Sequence, residues 1–253
     1  KIVYYNRRNM LNYSTLPFGA VTLTDLFKDG NLSPEEQAEK VEEFFTEQLS
    51  QIEWLSTVDP DVQMIGVGGS FRNIFKISKL VRKYPLDTVH NYHLPVEDFE
   101  SIYDMIKVLD LDKKKKIKGI STARADILPA ALAVVKSFVH FMHFENFIIG
   151  GSGLREGIMF NQAMPVTLEK PISDILGYSL SSLVKYYECN EKHVEHVVNL
   201  SVQLFKQLRV LHKFPRQYLK ILKVAATLHD CGTRVKFYNH QKHSCYMILN
   251  STL

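Results

Sequence analysis

The sequence predicts a layered α/β domain followed by a purely helical domain. In the first part, short apolar runs alternate with amphipathic segments, as in strands and helices packed in layers. Two of these runs end in glycine clusters that lead into helices. After them, apolar residues recur at helical spacing and no convincing strand follows. We therefore expect an α/β domain at residues 1–160 and a helical domain at residues 161–253.

The elements of the first domain follow from local signals. Ser33, Pro34 and Glu36 form a capping box, which predicts the start of a helix with an inward apolar stripe. The pattern breaks at residues 161–171, where Pro165 and Pro171 flank a polar stretch, and this predicts the linker. The lysine run at residues 113–116 is interpreted as solvated surface, with a track for a polyanion as the alternative. We predict strands at residues 1–5, 13–18, 62–67 and 147–149, and helices at residues 71–82, 96–109 and 126–142.

Composition and charge narrow the class of protein. The chain has 253 residues, a formal net charge of +4 and a pI of about 8.8, which mildly favours anionic ligands. Its cysteines, Cys189, Cys231 and Cys245, lack CxxC spacing, so a reduced, cytoplasmic location is expected. No apolar run reaches the roughly 18–20 residues that cross a bilayer, so no membrane partner is expected. The first residues form no signal peptide and include no initiator methionine, which suggests part of a longer protein.

The first candidate site is the glycine turn after the apolar run at residues 62–67. Backbone amides at Gly68, Gly69 and Ser70 would approach an anion at a helix N-terminus, where the helix dipole is positive. Arg72, in the first helical turn, could reach a phosphate. The alternative is a tight turn in which Ser70 is an ordinary N-cap.

A second glycine turn follows the apolar run at residues 147–149. Two such turns in one α/β domain are what a phosphate cleft formed by loops at strand ends requires. Arg155 and Glu156 follow this turn, and Arg124 and Asp126 precede the buried helix. The alternative is that Arg155 and Glu156 form a structural ion pair, which supports the turn without touching a ligand. Arg124 and Asp126 carry the same ambiguity.

The second candidate site is a histidine set in the helical domain. His193 lies on one helical stripe with apolar residues that include Leu200 and Leu204, so it is expected to face the interior. His229 and Asp230 end another apolar helix. If the two helices pack side by side, these imidazole and carboxylate groups could share a divalent metal. The alternative is a helical bundle with satisfied core histidines.

Several segments, in this order, resemble the exopolyphosphatase/guanosine-pentaphosphate phosphohydrolase family. The matching segments are residues 16–24 (LPFGAVTLT), 66–70 (GVGGS), 125–132 (ADILPAAL), 153–157 (GLREG), His193, 228–230 (LHD) and 240–244 (HQKHS). The resemblance covers essentially the whole chain, and the first and fourth segments are its most specific parts.

The resemblance implies an actin-like (ribonuclease-H-like) half-domain followed by an all-α HD-like domain. Family members remove the terminal phosphate of inorganic polyphosphate or convert guanosine pentaphosphate to tetraphosphate, commonly with Mg²⁺. The opening phosphate loops of the first half are not found before Leu16, so the general base is expected in a missing N-terminal half. His193, His229 and Asp230 match three of four HD metal positions, and the fourth is not evident before Leu253, so this domain is expected to be incomplete.

The function predicted for this chain is therefore half of a phosphate cleft, inactive by itself, which uses Gly68, Gly69, Ser70 and Arg72. One alternative is a metal-dependent HD-type nucleotide phosphohydrolase. Another is a non-catalytic fragment that binds phosphate or dimerises. A homodimer is expected, and specific nucleic-acid binding is not. The sequence does not choose between polyphosphate and guanosine pentaphosphate.

Overall fold

The structure, a computed structural model, describes residues 1–6, 9–163 and 174–251. The chain divides into two compact units, Lys1–Glu169 and Lys170–Leu253. Among the described residues, no helix is long and apolar enough to cross a membrane. The first unit is α/β and the second is helical, so the predicted fold class is confirmed.

The first unit contains two small sheets. Its strands are β1 (Ile2–Tyr5), β2 (Met10–Ser14), β3 (Met64–Val67), β4 (Tyr92–Pro95) and β5 (Asn146–Gly150). β1 and β2 form an antiparallel pair, while the other sheet has the order β3-β5-β4. In that sheet β5 is parallel to β3 and antiparallel to β4. The carboxyl ends of β3 and β5 therefore lie side by side, with Val67 opposite Gly150.

Seven α-helices accompany these strands among the described residues of the first unit, with 3₁₀ helices at Glu53–Thr57 and Thr122–Arg124. The α-helices are α1 (Ala20–Leu26), α2 (Pro34–Ser50), α3 (Gly69–Val81), α4 (Val96–Lys107), α5 (Leu111–Lys116), α6 (Leu128–Phe141) and α7 (Leu154–Ala163). α6 is mostly buried, because most of its own residues are apolar or small. Leu132 and Val139 are inaccessible to solvent. α2 packs against α6 through an apolar stripe that includes Phe45 and Leu49. The predicted capping box is present, since Ser33 and Glu36 bond each other's backbone amides at 3.2 and 2.7 Å.

Three expectations for the first unit are wrong or incomplete. The strand predicted at residues 13–18 is instead Met10–Ser14, and residues 15–18 belong to no strand; α1, which was not predicted, begins at Ala20. β4 was not predicted, because only its pairing with β5 makes this short run a strand. The lysine run is not wholly solvated surface, since it lies in α5 and Lys114 is buried. Burial lowers the pKa of the Lys114 ammonium.

The second unit is helical throughout its described residues. Its helices are α8 (Ile175–Tyr186), α9 (Glu191–Gln207), α10 (Arg209–His212), α11 (Gln217–Leu228) and α12 (His240–Leu249), with a 3₁₀ helix at Cys231–Arg234. A small core joins α8, α9 and α11 through Leu183, Val184, Val194 and Leu228. The described part of the predicted linker is the end of α7, and residues 164–171 of it lie outside the described residues.

The expected interior position of His193 is wrong. The stripe that it shares with Leu200 and Leu204 is exposed, and these two leucines keep 45% and 55% of their surface accessible. The adjacent Val194 is buried instead. The face of α9 that packs against α11 is therefore displaced by one residue from the predicted face.

Candidate functional site

The two glycine turns lie at the adjacent ends of parallel strands. Gly68 follows β3 with φ of 120°, a conformation that favours glycine, and α3 begins at Gly69. Gly151 follows β5 and leads to α7. The alternative in which Ser70 caps α3 is wrong, because Ser70 is the second residue inside the helix and Gly68 is the N-cap. The sequence therefore folds into two helix N-termini at one sheet edge.

The N-terminus of α3 offers amide donors. The amide of Arg72 makes the first α3 hydrogen bond, to the carbonyl of Gly68 at 3.1 Å. The amides of residues 69–71 precede this bond, so the helix ladder supplies no acceptor for them. Together with the helix dipole, they favour an anion.

Two guanidinium groups lie at these turns. Arg72 Nη2 donates to the carbonyl of Gly151 at 3.2 Å and so joins the first turn to the second. Arg124 lies against Gly69, because a Cβ placed on Gly69 would be 2.2 Å from its Nη1. Both side chains add positive charge beside the amides, as binding of a polyanion requires. The sequence indicated Arg124 as a candidate but not its contact with Gly69, because the two residues are far apart in the chain.

The second turn is held by its own carboxylate. Glu156 Oε2 accepts the amide of Gly153 at 2.7 Å, as a side chain near a helix N-terminus often does. Hydrogen bonds from its own amide and from that of Gly153, with smaller contributions from Arg155 and Arg72, lower the pKa of Glu156. Glu156 therefore supports the turn, as the alternative expected, but by accepting main-chain amides instead of by an ion pair with Arg155. Asp126 likewise accepts the amide of Ile127 at 2.9 Å.

Two further residues of this region were missed by the sequence analysis. His90 Nδ1 accepts the amide of Gly151 at 3.3 Å. Asn73, on α3, is buried, and its Nδ2 has no hydrogen-bond partner among the described residues. Helical spacing marks Asn73 as inward, but no local pattern indicates the contact of His90.

A cavity of about 630 Å³ borders the first glycine turn. Gly69 and Ser70 contribute to its wall, together with apolar residues of α6 and Phe45 of α2. It is also lined by all of β1 and most of β3, whereas their paired neighbours β2 and β5 do not line it. The cavity therefore lies along the unpaired edges of these two strands.

In the second unit, the structure brings the predicted histidine set together. His193 Nε2 and His229 Nε2 are 3.3 Å apart, and each lies 3.2 Å from Asp230 Oδ2. A regular tetrahedron with metal bonds of about 2.0–2.2 Å places its ligands about 3.3–3.6 Å apart. The triangle formed by the three atoms is close in size to one face of such a tetrahedron, so these residues fit a divalent ion.

A backbone contact orients the ring of His229. His229 Nδ1 lies 2.8 Å from the carbonyl of Ala226, and this contact places the proton on Nδ1 and leaves the Nε2 lone pair for a metal. His240, which was not selected as a site residue, places Nε2 3.2 Å from Asp230 Oδ1. In the sequence it stood out only as part of the segment at residues 240–244 that resembles the family.

Comparison with known proteins gives consistent matches. The profile of the Ppx/GppA phosphatase family matches residues 1–165, and that of Ppx/GppA phosphatase, domain III, matches residues 176–253. A guanosine-5'-triphosphate,3'-diphosphate pyrophosphatase of Vibrio vulnificus is 22% identical over 93% of this chain and 45% of its own length. A protein with the same name from Aeromonas salmonicida is 24% identical over 53% of this chain and 27% of its own length. The chain thus spans between about a quarter and a half of these curated relatives.

Solved structures share the fold. The crystal structure of the Aquifex aeolicus member of the Ppx/GppA family superimposes with a TM-score of 0.54 and 22% identity, over 64% of this chain and 51% of that one. An exopolyphosphatase from Cytophaga hutchinsonii gives a TM-score of 0.57 and 18% identity, over 65% and 54%. These neighbours show the actin-like fold.

Proposed function

This chain belongs to the Ppx/GppA phosphatase family, and we propose that it forms part of a phosphohydrolase that cleaves a terminal phosphoanhydride. The substrate would be inorganic polyphosphate or guanosine pentaphosphate, consistent with the names of the similar proteins. One observation carries this proposal: two glycine turns meet at Val67 and Gly150, and two guanidinium groups lie beside them.

The role of this chain would be to bind and stabilise the phosphates. Amides at Gly69 and Ser70, with the turn at Gly68, would donate to oxygens of the terminal phosphates. Arg72 would neutralise the charge that develops as the bridging bond breaks. Mg²⁺, when bound, would neutralise further charge on the phosphate chain. The cleft presents mainly hydrogen-bond donors, so the ion fits best when it is held by the phosphates and water.

We further propose that another stretch of polypeptide completes the cleft and carries the general base. The cavity between the open edges of β1 and β3 supports this, since an added strand there would join the two sheets into one. The wall of this cavity is largely apolar, and added polypeptide would pack against it as close packing of a protein interior requires. This chain alone would then not release phosphate. The homodimer stays a prediction, and so does the cytoplasmic location expected from the cysteines.

The test is binding of tripolyphosphate by calorimetry, with Arg72→Ala as the variant. A lost hydrogen bond to a charged group is worth about 1.5–3 kcal/mol, so we expect affinity to fall roughly ten- to a hundredfold. Arg82→Ala is the matched control, because it removes the same charge at the other end of α3. Equal losses in both variants would contradict a specific site. Phosphate release by this chain with Mg²⁺ would contradict its assignment as half of the cleft.

A second candidate function is metal-dependent hydrolysis of a nucleotide in the second unit. The triangle of His193, His229 and Asp230 favours it, because the three atoms have the spacing of ligands to one ion. The metal would lower the pKa of a bound water, and this chain's residues would hold and orient the ion. The test is nucleotide hydrolysis with added Zn²⁺ or Mn²⁺, and loss of activity in Asp230→Asn is expected. Metal binding without hydrolysis would favour the non-catalytic alternative.

A further inference from the structure

We infer that His240 is a positioning residue that holds the carboxylate of Asp230, so that one oxygen of Asp230 is kept for a divalent metal. The inference rests on the second candidate function and adds a residue outside the ligand triangle. Its basis is that His240 and the ligands approach opposite oxygens of one carboxylate. His193 and His229 lie beside Oδ2, and His240 lies beside Oδ1.

Both nitrogens of the His240 ring face oxygen acceptors. Nδ1 lies 2.9 Å from the carbonyl of Phe237, and Nε2 lies 3.2 Å from Asp230 Oδ1. These two contacts hold the ring at two points, so the carboxylate beside it cannot rotate freely. This arrangement is that of an outer partner, which donates to a ligand instead of binding the ion.

The backbone around His240 is held equally firmly. Ser244, one turn further along α12, is buried and donates from Oγ to the carbonyl of His229 at 2.8 Å. The same Oγ accepts the amide of Gly232 at 2.9 Å. A Cβ on Gly232 would lie 2.2 Å from the carbonyl oxygen of His240, so the two backbones are in direct contact. The first turn of α12 is therefore clamped to the turn that carries His229 and Asp230.

The geometry also separates His240 from the ligand set. The ligand atoms of His193, His229 and Asp230 all lie within 4.8 Å of one another. His240 reaches this group through the second carboxylate oxygen of Asp230. An ion bound at Oδ2 would thus have three protein ligands and a further position open to water, the arrangement of a catalytic metal site.

The experiment is calorimetric titration of the full chain with Zn²⁺, using the wild type, His240→Ala and His240→Gln. Loss of an outer partner typically costs 10–100-fold in metal affinity, and we expect this loss in His240→Ala. His240→Gln should recover most of it, because its amide N–H can donate to Oδ1 whereas it replaces imidazole poorly as a ligand. His196→Ala, which removes an exposed imidazole from α9, should leave the affinity unchanged.

The outcomes separate the two proposals. If the wild type does not bind Zn²⁺, both the metal-dependent function and the role of His240 are wrong. If the wild type binds and His240→Ala binds equally well, only the role of His240 is wrong. If His240→Gln is as weak as His240→Ala while both melt like the wild type, His240 is a direct ligand and the positioning role is overturned. If His240→Ala does not fold, the Zn²⁺ affinity of His240→Gln is compared with that of the wild type. An affinity close to the wild type supports the positioning role, and a 10–100-fold loss overturns it.

Discussion

Single glycines determine how closely the arginine side chains approach the proposed phosphate cleft. Gly68 adopts a positive φ and turns the chain from β3 into α3. Gly69 lacks a side chain, and the guanidinium of Arg124 occupies the space where its Cβ would be. These two positions therefore have different requirements, since the first needs a backbone conformation and the second needs empty space.

This difference predicts the behaviour of Gly69→Ala. The new methyl group would overlap the flexible end of Arg124 but no backbone atom among its nearest neighbours, so the guanidinium should move away while the fold stays intact. We expect tripolyphosphate affinity to fall about tenfold or more, because one charged donor leaves the cleft. Calorimetry measures the affinity, and thermal melting measures the stability.

Gly157→Ala is the control for this prediction. Gly157 lies inside α7, and a Cβ there would meet nothing within 4 Å. It should leave binding unchanged and raise helix propensity slightly. A large loss of stability in Gly69→Ala with unchanged affinity would show that Arg124 supports the turn and not the ligand.

A buried tyrosine predicts a dependence of stability on pH. Tyr103 has no accessible surface, and its hydroxyl donates to Glu42, which also pairs with Lys136 at 3.0 Å. Burial, with the hydrogen bond to Glu42, raises the pKa of Tyr103 far above its ordinary value of about 10. Above that pH the unfolded chain loses the phenolic proton and the folded chain keeps it. The contribution of Tyr103 to the free energy of unfolding should therefore be fully present below pH ~10. At higher pH the free energy of unfolding should fall by about 1.4 kcal/mol per pH unit.

Tyr103→Phe checks this prediction. The variant loses one hydrogen bond, so it should be less stable at neutral pH, but its free energy of unfolding should fall less steeply above pH ~10. Urea unfolding at several pH values between about 8 and 11 measures both effects. Parallel pH curves for the two proteins would mean that the folded state also releases this proton.

Helices and strands with strong local signals were predicted, and those that depend on distant contacts were not. The helix at Pro34–Ser50 begins at its capping box, and β3 and β5 are apolar runs that end in glycine. α1 is a helix although it contains several β-branched residues, which have low helix propensity. Hydrogen bonds between Gly19 and Thr22 at its start and the burial of Leu23 stabilise it. β4 has no independent signal and forms only against β5.

The candidate sites divide in the same way. The glycine turns and the His-Asp step are continuous in sequence, so their residue types and spacing revealed them. The approach of Arg124 to Gly69 and of His240 to Asp230 joins residues that no local periodicity relates. The stripe of His193 was assigned to the interior because its apolar residues are evenly spaced, yet spacing cannot say which of two apolar faces is covered.

At the scale of the whole chain, each compact unit has its own candidate site. The glycine turns lie in Lys1–Glu169, and the histidine cluster lies in Lys170–Leu253. The candidate metal site of His193, His229 and Asp230 is built from α9 and from the end of α11, and α12 packs against it. A ligand that binds only the folded state stabilises the elements it joins, so a metal ion should act on the second unit alone.

Hydrogen exchange with and without Zn²⁺ tests this expectation. At a free metal concentration of 100 times Kd the folded second unit should gain about 2.7 kcal/mol, which slows exchange through global opening of that unit roughly a hundredfold. We expect the slowing in α9, α11 and α12, and unchanged exchange in α2 and α6, which form the core of the first unit. Asp230→Asn is the control, because it removes the charge at the centre of the cluster and should abolish the effect. Equal slowing in both units would show that the metal also binds the first unit or that the two units unfold together.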